Sequence, residues 1–330
     1  MTEAVDDRVV APALDYADHP DHWDEIVVGY YDKCFRDYRR GWSDRRSLGM
    51  HMGYWDKHTR RHSDSLMNMN RQVARRSGIR SGLRVLDAGC GVGGSSMWLA
   101  ETFGVDVVGI TLASDQVDRA RRYAQRRGLD GRAQFLQRDF HATDFEDESF
   151  DVVWAQESVC HSLDKPAFFR EAFRVLRPGG RLVIEDFLRR HPRDSVEDER
   201  LLLQWLHGWA VHELATGDEY RDWARAAGFE RVALDDVCEN MRPSARRLYL
   251  RSSGVYALAA LRHPIRRIRE LRRDGVHGLA ESTPLLQDRR LRNWRGGRYQ
   301  WKALELGLWF TGILSARKPA EATPEDPRHD

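Results

Sequence analysis

Two hydrophobic periods alternate along the middle of the chain. LRVLDAGCGVGG (83–94) is an apolar run that closes in a glycine-rich turn, and it predicts a strand. SSMWLAETFG (95–104) predicts the following helix, with Ser95 or Ser96 near its start and Gly104 at its end. VDVVGIT (105–111), RAQFLQRDF (132–140), FDVVWAQES (150–158) and RLVIEDF (181–187) read as four further strands. Between them, 113–128 and 165–180 carry helical periodicity, stopped by Gly128 and by Pro178-Gly179-Gly180. Such alternation predicts an α/β fold with a doubly wound, mainly parallel sheet.

Outside this stretch the pattern changes. Residues 24–75 read as helical and carry Tyr30, Tyr31, Phe35, Tyr38, Trp42, Tyr54 and Trp55. Residues 189–228 read as helical, ERVALDDV (230–237) as a returning strand, and 242–295 as an arginine-rich helical insert. YQWKALELG (299–307) and LWFTGILSARKP (308–319) predict a last helix and a last strand. The expected organisation is a helical cap (1–77), an α/β core (78–188) and a mostly helical lid (189–298) with one core strand. The final helix and strand (299–319) and a flexible tail (320–330) follow. Frayed ends are expected at 1–20 and 319–330, where charge, Ala and Pro concentrate.

Composition narrows the function classes. Hydrophobic residues make up 41%, enough for a substantial core. Lys and Arg number 53 against 51 Asp and Glu, and a net charge of +2 argues against a nucleic-acid binder. Mean hydropathy is −0.64, and no run approaches the length of a membrane span. The first 20 residues are acidic and lack an apolar signal core, so a cytoplasmic protein is expected. The four cysteines form no C-x-x-C pair, and reduced thiols follow. A homodimer is the base-rate expectation for assembly.

The chemistry concentrates at the strand ends. Asp87-Ala88-Gly89-Cys90-Gly91-Val92-Gly93-Gly94 follows the first strand directly. Its glycines permit a sharp turn and a close ligand approach, and Asp87 can bind an ammonium group. The turn differs from the dinucleotide pattern G-x-G-x-x-G. Strand two ends in Gly109-Ile110-Thr111, with Gln116 one turn into the next helix. Strand three ends in Arg138-Asp139-Phe140, and strand four in Gln156-Glu157-Ser158. In open α/β sheets these are the ligand-binding ends.

Together these residues resemble the class I S-adenosylmethionine (SAM)-dependent methyltransferases, over 83–187 and again over 299–318. The resemblance implies a Rossmann-like, seven-stranded sheet. VVGITLASDQVDRA is similar to the subgroup of sterol, tocopherol and cyclopropane-forming enzymes, which often lacks an acid at the end of strand two. It implies that Gly89 and Gly91 lie against the methionine part of SAM. Thr111 and Gln116 would contact the ribose or its flanks. Asp139 would accept a hydrogen bond from the adenine amino group, beside the Phe140 backbone. Gln156 would lie near the methionyl portion.

Within that resemblance, Glu157-Ser158-Val159-Cys160-His161 is similar to the E-A-T-C-H pattern of sterol C-methyltransferases. It implies Glu157 as cation stabiliser or base and His161 as its helper. On the residues alone, Glu157 could also be a surface or capping carboxylate, and His161 a packing histidine. Leu48–Trp55 resembles the H-x-G-Y-W segment that covers the cofactor, with His51, Tyr54 and Trp55 closing the site. An aromatic core contact is its structural alternative, and core packing is expected for most of Tyr30, Tyr31 and Tyr38. Trp209 is a candidate substrate contact.

Arg242, Arg246, Arg247 and Arg251 suit a diphosphate or carboxylate by bidentate bonding. A prenyl diphosphate is therefore a candidate acceptor, with Mg²⁺ only in that case; a solvated helical face is the alternative. The run Arg262–Arg273 reads as such a face, or as a contact with an anionic membrane surface. No metal site is expected in the protein itself. The reading is a small-molecule methyltransferase of secondary metabolism that methylates an isoprenoid alkene carbon. The rivals are an N- or O-methyltransferase on an alkaloid, amine or phenol, and a SAM-binding protein without turnover. No N/D-P-P-Y/F motif follows strand four, which argues against a nucleic-acid methyltransferase.

Overall fold

The computed structural model describes residues 22–44, 46–192, 195–274 and 291–320; the side chains of 40, 260 and 263–274 lie outside the description. Of the frayed ends expected at 1–20 and 319–330, all but 319 and 320 also fall outside it, as do the side chains of most of the Arg262–Arg273 run.

Short apolar runs become strands because they can be buried on both sides. The elements are α1 (Trp23–Gly41), α2 (His62–Ser77), β1 (Arg84–Ala88), α3 (Gly94–Phe103), β2 (Asp106–Thr111), α4 (Ser114–Arg127), β3 (Ala133–Gln137) and β4 (Phe150–Gln156). Then come α5 (Lys165–Val175), β5 (Leu176–Arg189), α6 (Val196–Leu206), α7 (Gly217–Ala226), β6 (Glu230–Asp236), α8 (Cys238–Asp274), α9 (Arg292–Glu305) and β7 (Trp309–Arg317). The seven strands form one sheet in the order β3-β2-β1-β4-β5-β7-β6. All are parallel except β7, which runs antiparallel between β5 and β6.

Alternate side chains feed two apolar layers. Val85, Val107, Val152 and Val183 pack with Met69, Trp98, Leu99 and Val117. Leu86, Val108, Val153 and Ile184 pack on the other face with Phe168, Phe169, Trp205 and Trp309. Strands buried on both faces account for their near-continuous apolar character.

Several boundaries differ from the sequence reading: the last helix starts at Arg292 instead of 299, and β3 ends at Gln137 instead of Phe140. The helix expected over 165–180 ends at Val175, because Pro178 cannot donate a backbone bond and disfavours helix at Arg177. Leu176 instead starts β5 opposite Phe150, and the register shifts before Val152 meets Arg181. The helical stretch expected over 24–75 is broken between Gly41 and His62. There the chain crosses the top of the sheet, and a Cβ on Gly53 would lie 2.0 Å from Ser65 Oγ. The strand order reverses direction between β1 and β4, which places a ligand crevice at their carboxyl ends.

Candidate active site

The β1–α3 turn builds the floor. Gly89 and Cys90 both donate their N–H groups to Ile110 C=O at 2.9 Å, tying the turn to β2. Gly89 has φ +84°, and a Cβ there would sit 2.3 Å from Ser158 Cβ, so only glycine lets the turn pass so close to the end of β4. Ser158 Oγ donates to Ala88 C=O at 2.7 Å and fixes that approach. Asp87 is buried and accepts the Ser96 hydroxyl. Burial pushes its carboxyl up to about 6, against the Ser96 bonds that favour its charge. No salt-bridge partner for it occurs among the described residues.

A cavity opens above this floor. Its empty space is about 1630 Å³, counting the open mouth. Asp87, Gly89, Gly91, Thr111, Gln116, Phe140 and Gln156 line it, as the sequence reading expects of the cofactor end. Ser95 Oγ donates to Gln156 Oε1 at 2.9 Å, and Thr111 Oγ1 to Gln116 Oε1 at 2.7 Å. Asp139 is not among the lining residues. Its Oδ1 accepts the His141 N–H at 2.8 Å and lies 2.7 Å from His141 Nδ1. Burial opposes its charge, but the His141 bonds outweigh burial and hold the carboxyl below its ordinary value.

The opposite wall comes from outside the sheet. His51 is buried and lines the cavity. Its Nδ1 is 2.8 Å from Met52 C=O, an acceptor only, so Nδ1 carries the hydrogen and Nε2 keeps its lone pair. Burial lowers this imidazole to about 4 and keeps it neutral at pH 7. Tyr30, Tyr31, Tyr38, Trp42 and Trp209 supply aromatic surface around it, and Phe187 adds to it from β5.

Glu157 joins the two walls. Its φ is +46°, a conformation unusual for a residue with a side chain. The N–H donates to Glu185 C=O at 2.7 Å, and Oε1 accepts the Met52 N–H at 2.5 Å. A strained backbone held by partners on two elements is the signature of a position whose aim matters. Burial pushes its carboxyl well up; the Met52 bond works against this and Asp186 adds to it. Glu185 is fully buried on β5 and is pushed well up by burial, Glu157 and Asp186. Asp186 rises to about 6 through burial, opposed by bonds from Phe187 and Cys160.

His161 also lines the cavity. Its Nδ1 is 2.8 Å from Ala210 C=O, which places the hydrogen there, so Nε2 accepts the Tyr31 hydroxyl at 2.8 Å. Burial lowers this imidazole to about 4. Trp23 Nε1–H donates to His161 C=O at 2.7 Å, so α1 grips this turn twice. Tyr31→Phe leaves Nε2 buried without its donor. Turnover is expected to fall about tenfold with SAM affinity unchanged, as read by single-turnover kinetics beside a calorimetric titration.

Several expected site residues lie elsewhere. Trp55 Nε1–H donates to Ser244 Oγ at 2.8 Å, and its backbone N–H to Asn240 C=O, so it docks on α8. Tyr54 packs in the core layer beside α2. Neither lines the cavity: past Met52 the chain is tied to α8 by the Gly53 N–H on Ser244 Oγ at 3.1 Å and to α2 by the Tyr54 N–H on Ser65 C=O at 2.9 Å. Arg242 pairs with Glu239 and, at 2.6 Å, with Glu305. Arg246 and Arg247 are exposed. None of the three lines the cavity; Arg251, one turn further on, does. Sequence reasoning passed over Phe187 although it ends the strand expected over 181–187, which is the signal that found the others. Tyr31 had no such signal, since a tyrosine in an aromatic helix reads as core.

A methyltransferase domain family model matches residues 86–184. The 27-O-demethylrifamycin SV methyltransferase of Amycolatopsis mediterranei is 35% identical over 206 residues, covering 62% of this chain and 75% of that protein. This chain belongs to the SAM-dependent methyltransferases. A sterol 24-C-methyltransferase of Aspergillus fumigatus is 34% identical over 186 residues, 56% of this chain and 49% of that protein. Among solved structures, the [4+2]-cyclase SpnF shares the fold with a TM-score of 0.68 and 24% identity, over 90% of this chain and 96% of that one. The residues present fit SAM. The glycine turn packs on Ser158 with no room for a Cβ at Gly89 and puts bare backbone at the cavity floor, and buried Asp87 offers a negative charge to a cationic ligand. SAM supplies a methyl group already activated on a sulfonium. Among the described residues, no group of three or more His, Cys, Asp or Glu could hold a metal ion, and no helix is long and apolar enough to cross a membrane.

Proposed function

We propose that this methyltransferase adds the methyl group of SAM to an alkene carbon of an apolar, isoprenoid-type acceptor. One observation carries the reading: Glu157 presents a half-buried carboxyl to an aromatic-walled cavity, with no salt-bridge partner among the described residues. In such a transfer the alkene π pair forms the new C–C bond as the C–S bond breaks, and the positive charge moves to the neighbouring carbon. The Tyr31, Phe187 and Trp209 faces attract that charge, and ionised Glu157 stabilises it. The cation then loses a proton, for which Glu157 or the Nε2 of His51 is an acceptor.

The diphosphate form of the acceptor has less support, because, of Arg242, Arg246, Arg247 and Arg251, the last alone lines the cavity. Arg242→Ala is expected to leave turnover and KM within about twofold, as a half-exposed ion pair contributes little. A tenfold rise in KM would return that arginine to the substrate.

O-methylation is the second reading. The Nε2 lone pair of neutral His51 favours it, since a hydroxyl acceptor needs a base. The rifamycin relative, named as a 27-O-methyltransferase, adds to it. Mass spectrometry and carbon NMR of products from methyl-labelled SAM and a panel of apolar alkenes, phenols and alcohols separates the two. A carbon-bound label supports the first reading, and label found only on oxygen replaces it with the second.

A further inference from the structure

Helix α8 has two faces of opposite character. Met241, Ser244, Ala245, Ser252 and Tyr256 are buried on one. Leu250, Gly254, Ala257, Leu258 and Leu261 follow the spacing i, i+4, i+7, i+8, i+11, which places them on a single stripe opposite. Leu250, Leu258 and Leu261 are 57%, 47% and 74% exposed. That is half of the large exposed apolar side chains among the described residues, gathered on about three turns of one helix. A Cβ on Gly254 would meet nothing within 4 Å.

The flanks of the stripe carry one sign of charge. Arg246, Arg247, Arg251 and Arg262 are exposed beside the leucines, and the sequence from 243 to 262 contains no Asp or Glu. Clustered leucines bordered by arginines suit the interface of an anionic bilayer: the leucines enter the acyl boundary while the guanidinium groups meet headgroup phosphates. A second copy of this face would bring the same positive charges together, which disfavours self-association.

We propose that α8 is a peripheral membrane-docking helix that seats the enzyme on an anionic lipid surface. Leu248 and Arg251 of the same helix line the cavity, so docking would set the cavity mouth at the lipid interface. In that respect the inference rests on the apolar acceptor proposed above, although lipid binding itself does not depend on turnover.

Co-sedimentation with vesicles tests it without any acceptor. The full chain is expected to bind phosphatidylcholine vesicles containing phosphatidylglycerol, to bind pure phosphatidylcholine far less, and to release as salt rises. Leu258→Asp/Leu261→Asp and, separately, Arg246→Gln/Arg262→Gln are each expected to weaken binding about tenfold or more. Circular dichroism and calorimetric SAM binding would confirm that both variants are folded. Failure of the folded wild type to bind anionic vesicles overturns the proposal, as does equal binding by both variants. So does a wild-type dimer in sedimentation velocity that the leucine variant abolishes, since a second copy would then cover the stripe. Label on oxygen in the product assay would remove the alkene acceptor and leave lipid binding to stand or fall alone.

Discussion

Glu157→Gln should abolish at least 99% of turnover, a loss of about 10²-fold or more, while SAM affinity stays within about twofold. Glutamine preserves the shape of the side chain and its oxygen can still accept the Met52 N–H, so the covering segment should hold its place. What disappears is the charge that would face a developing cation. The fold should not suffer. The folded-state carboxyl lies well above its ordinary value, so folding favours the protonated form, and stability from this group falls as pH rises through the folded value. At neutral pH the glutamine variant should therefore melt at or above the wild-type temperature. The wild-type rate should rise with pH as Glu157 ionises, and that limb should vanish in the variant. Near-normal turnover would reduce Glu157 to a structural carboxyl that holds the segment around Met52.

The second large effect concerns the cofactor. Asp87→Ala should weaken SAM binding by roughly 10- to 100-fold, the range expected when a hydrogen bond to a charged group is lost. Burial moves this carboxyl from its ordinary value of 3.8 to about 6. A cationic ligand favours the ionised form, so wild-type affinity should rise between pH 5 and 7, while the variant should be nearly flat across that window. The sign for stability is opposite. The unfolded chain ionises at lower pH than the folded one, so Asp87 imposes no penalty below 3.8. The penalty grows up to about 6 and is complete above it, at no more than about 3 kcal/mol. Asp87→Ala should thus remain folded at neutral pH, and calorimetry can read binding alone. Unchanged affinity across the pH range would move the ammonium site elsewhere.

The two effects are separable because the groups sit on different walls. Asp87 belongs to the sheet end, which α3 and β2 hold through local bonds. Glu157 spans from β4 to the segment before α2, across 105 residues of sequence. A substitution at the first should appear in binding, and at the second in the chemical step.

The same division separates what could be read from residues in order and what could not. The sheet was legible because its signals are local: apolar runs of strand length, glycine turns, and helices stopped by Gly104 and Gly128. The turn at Gly89 to Gly94, the strand ends at Thr111 and Gln156, and Phe140 just past β3 follow from the same pattern, so most of the sheet side of the cavity came with them. The lid and cap were not local. His51 lines the cavity while Trp55, four residues on, docks on α8, because Gly53 leaves room for Ser65 and both Gly53 N–H and Trp55 Nε1–H are held by Ser244 of α8. Arg242 reads as an anion clamp until Glu305, 63 residues later, is seen to neutralise it. Tyr31 reads as core until its hydroxyl meets His161 across 130 residues.

By itself, then, the sequence determined the order of strands and helices, the glycine cradle and the acids at the strand ends, since these depend on period and spacing. Tertiary structure decided which aromatic and charged side chains of the cap and lid face the cavity. That choice depends on packing between segments far apart in the chain, where one close approach at a glycine or one distant carboxylate decides what a side chain meets.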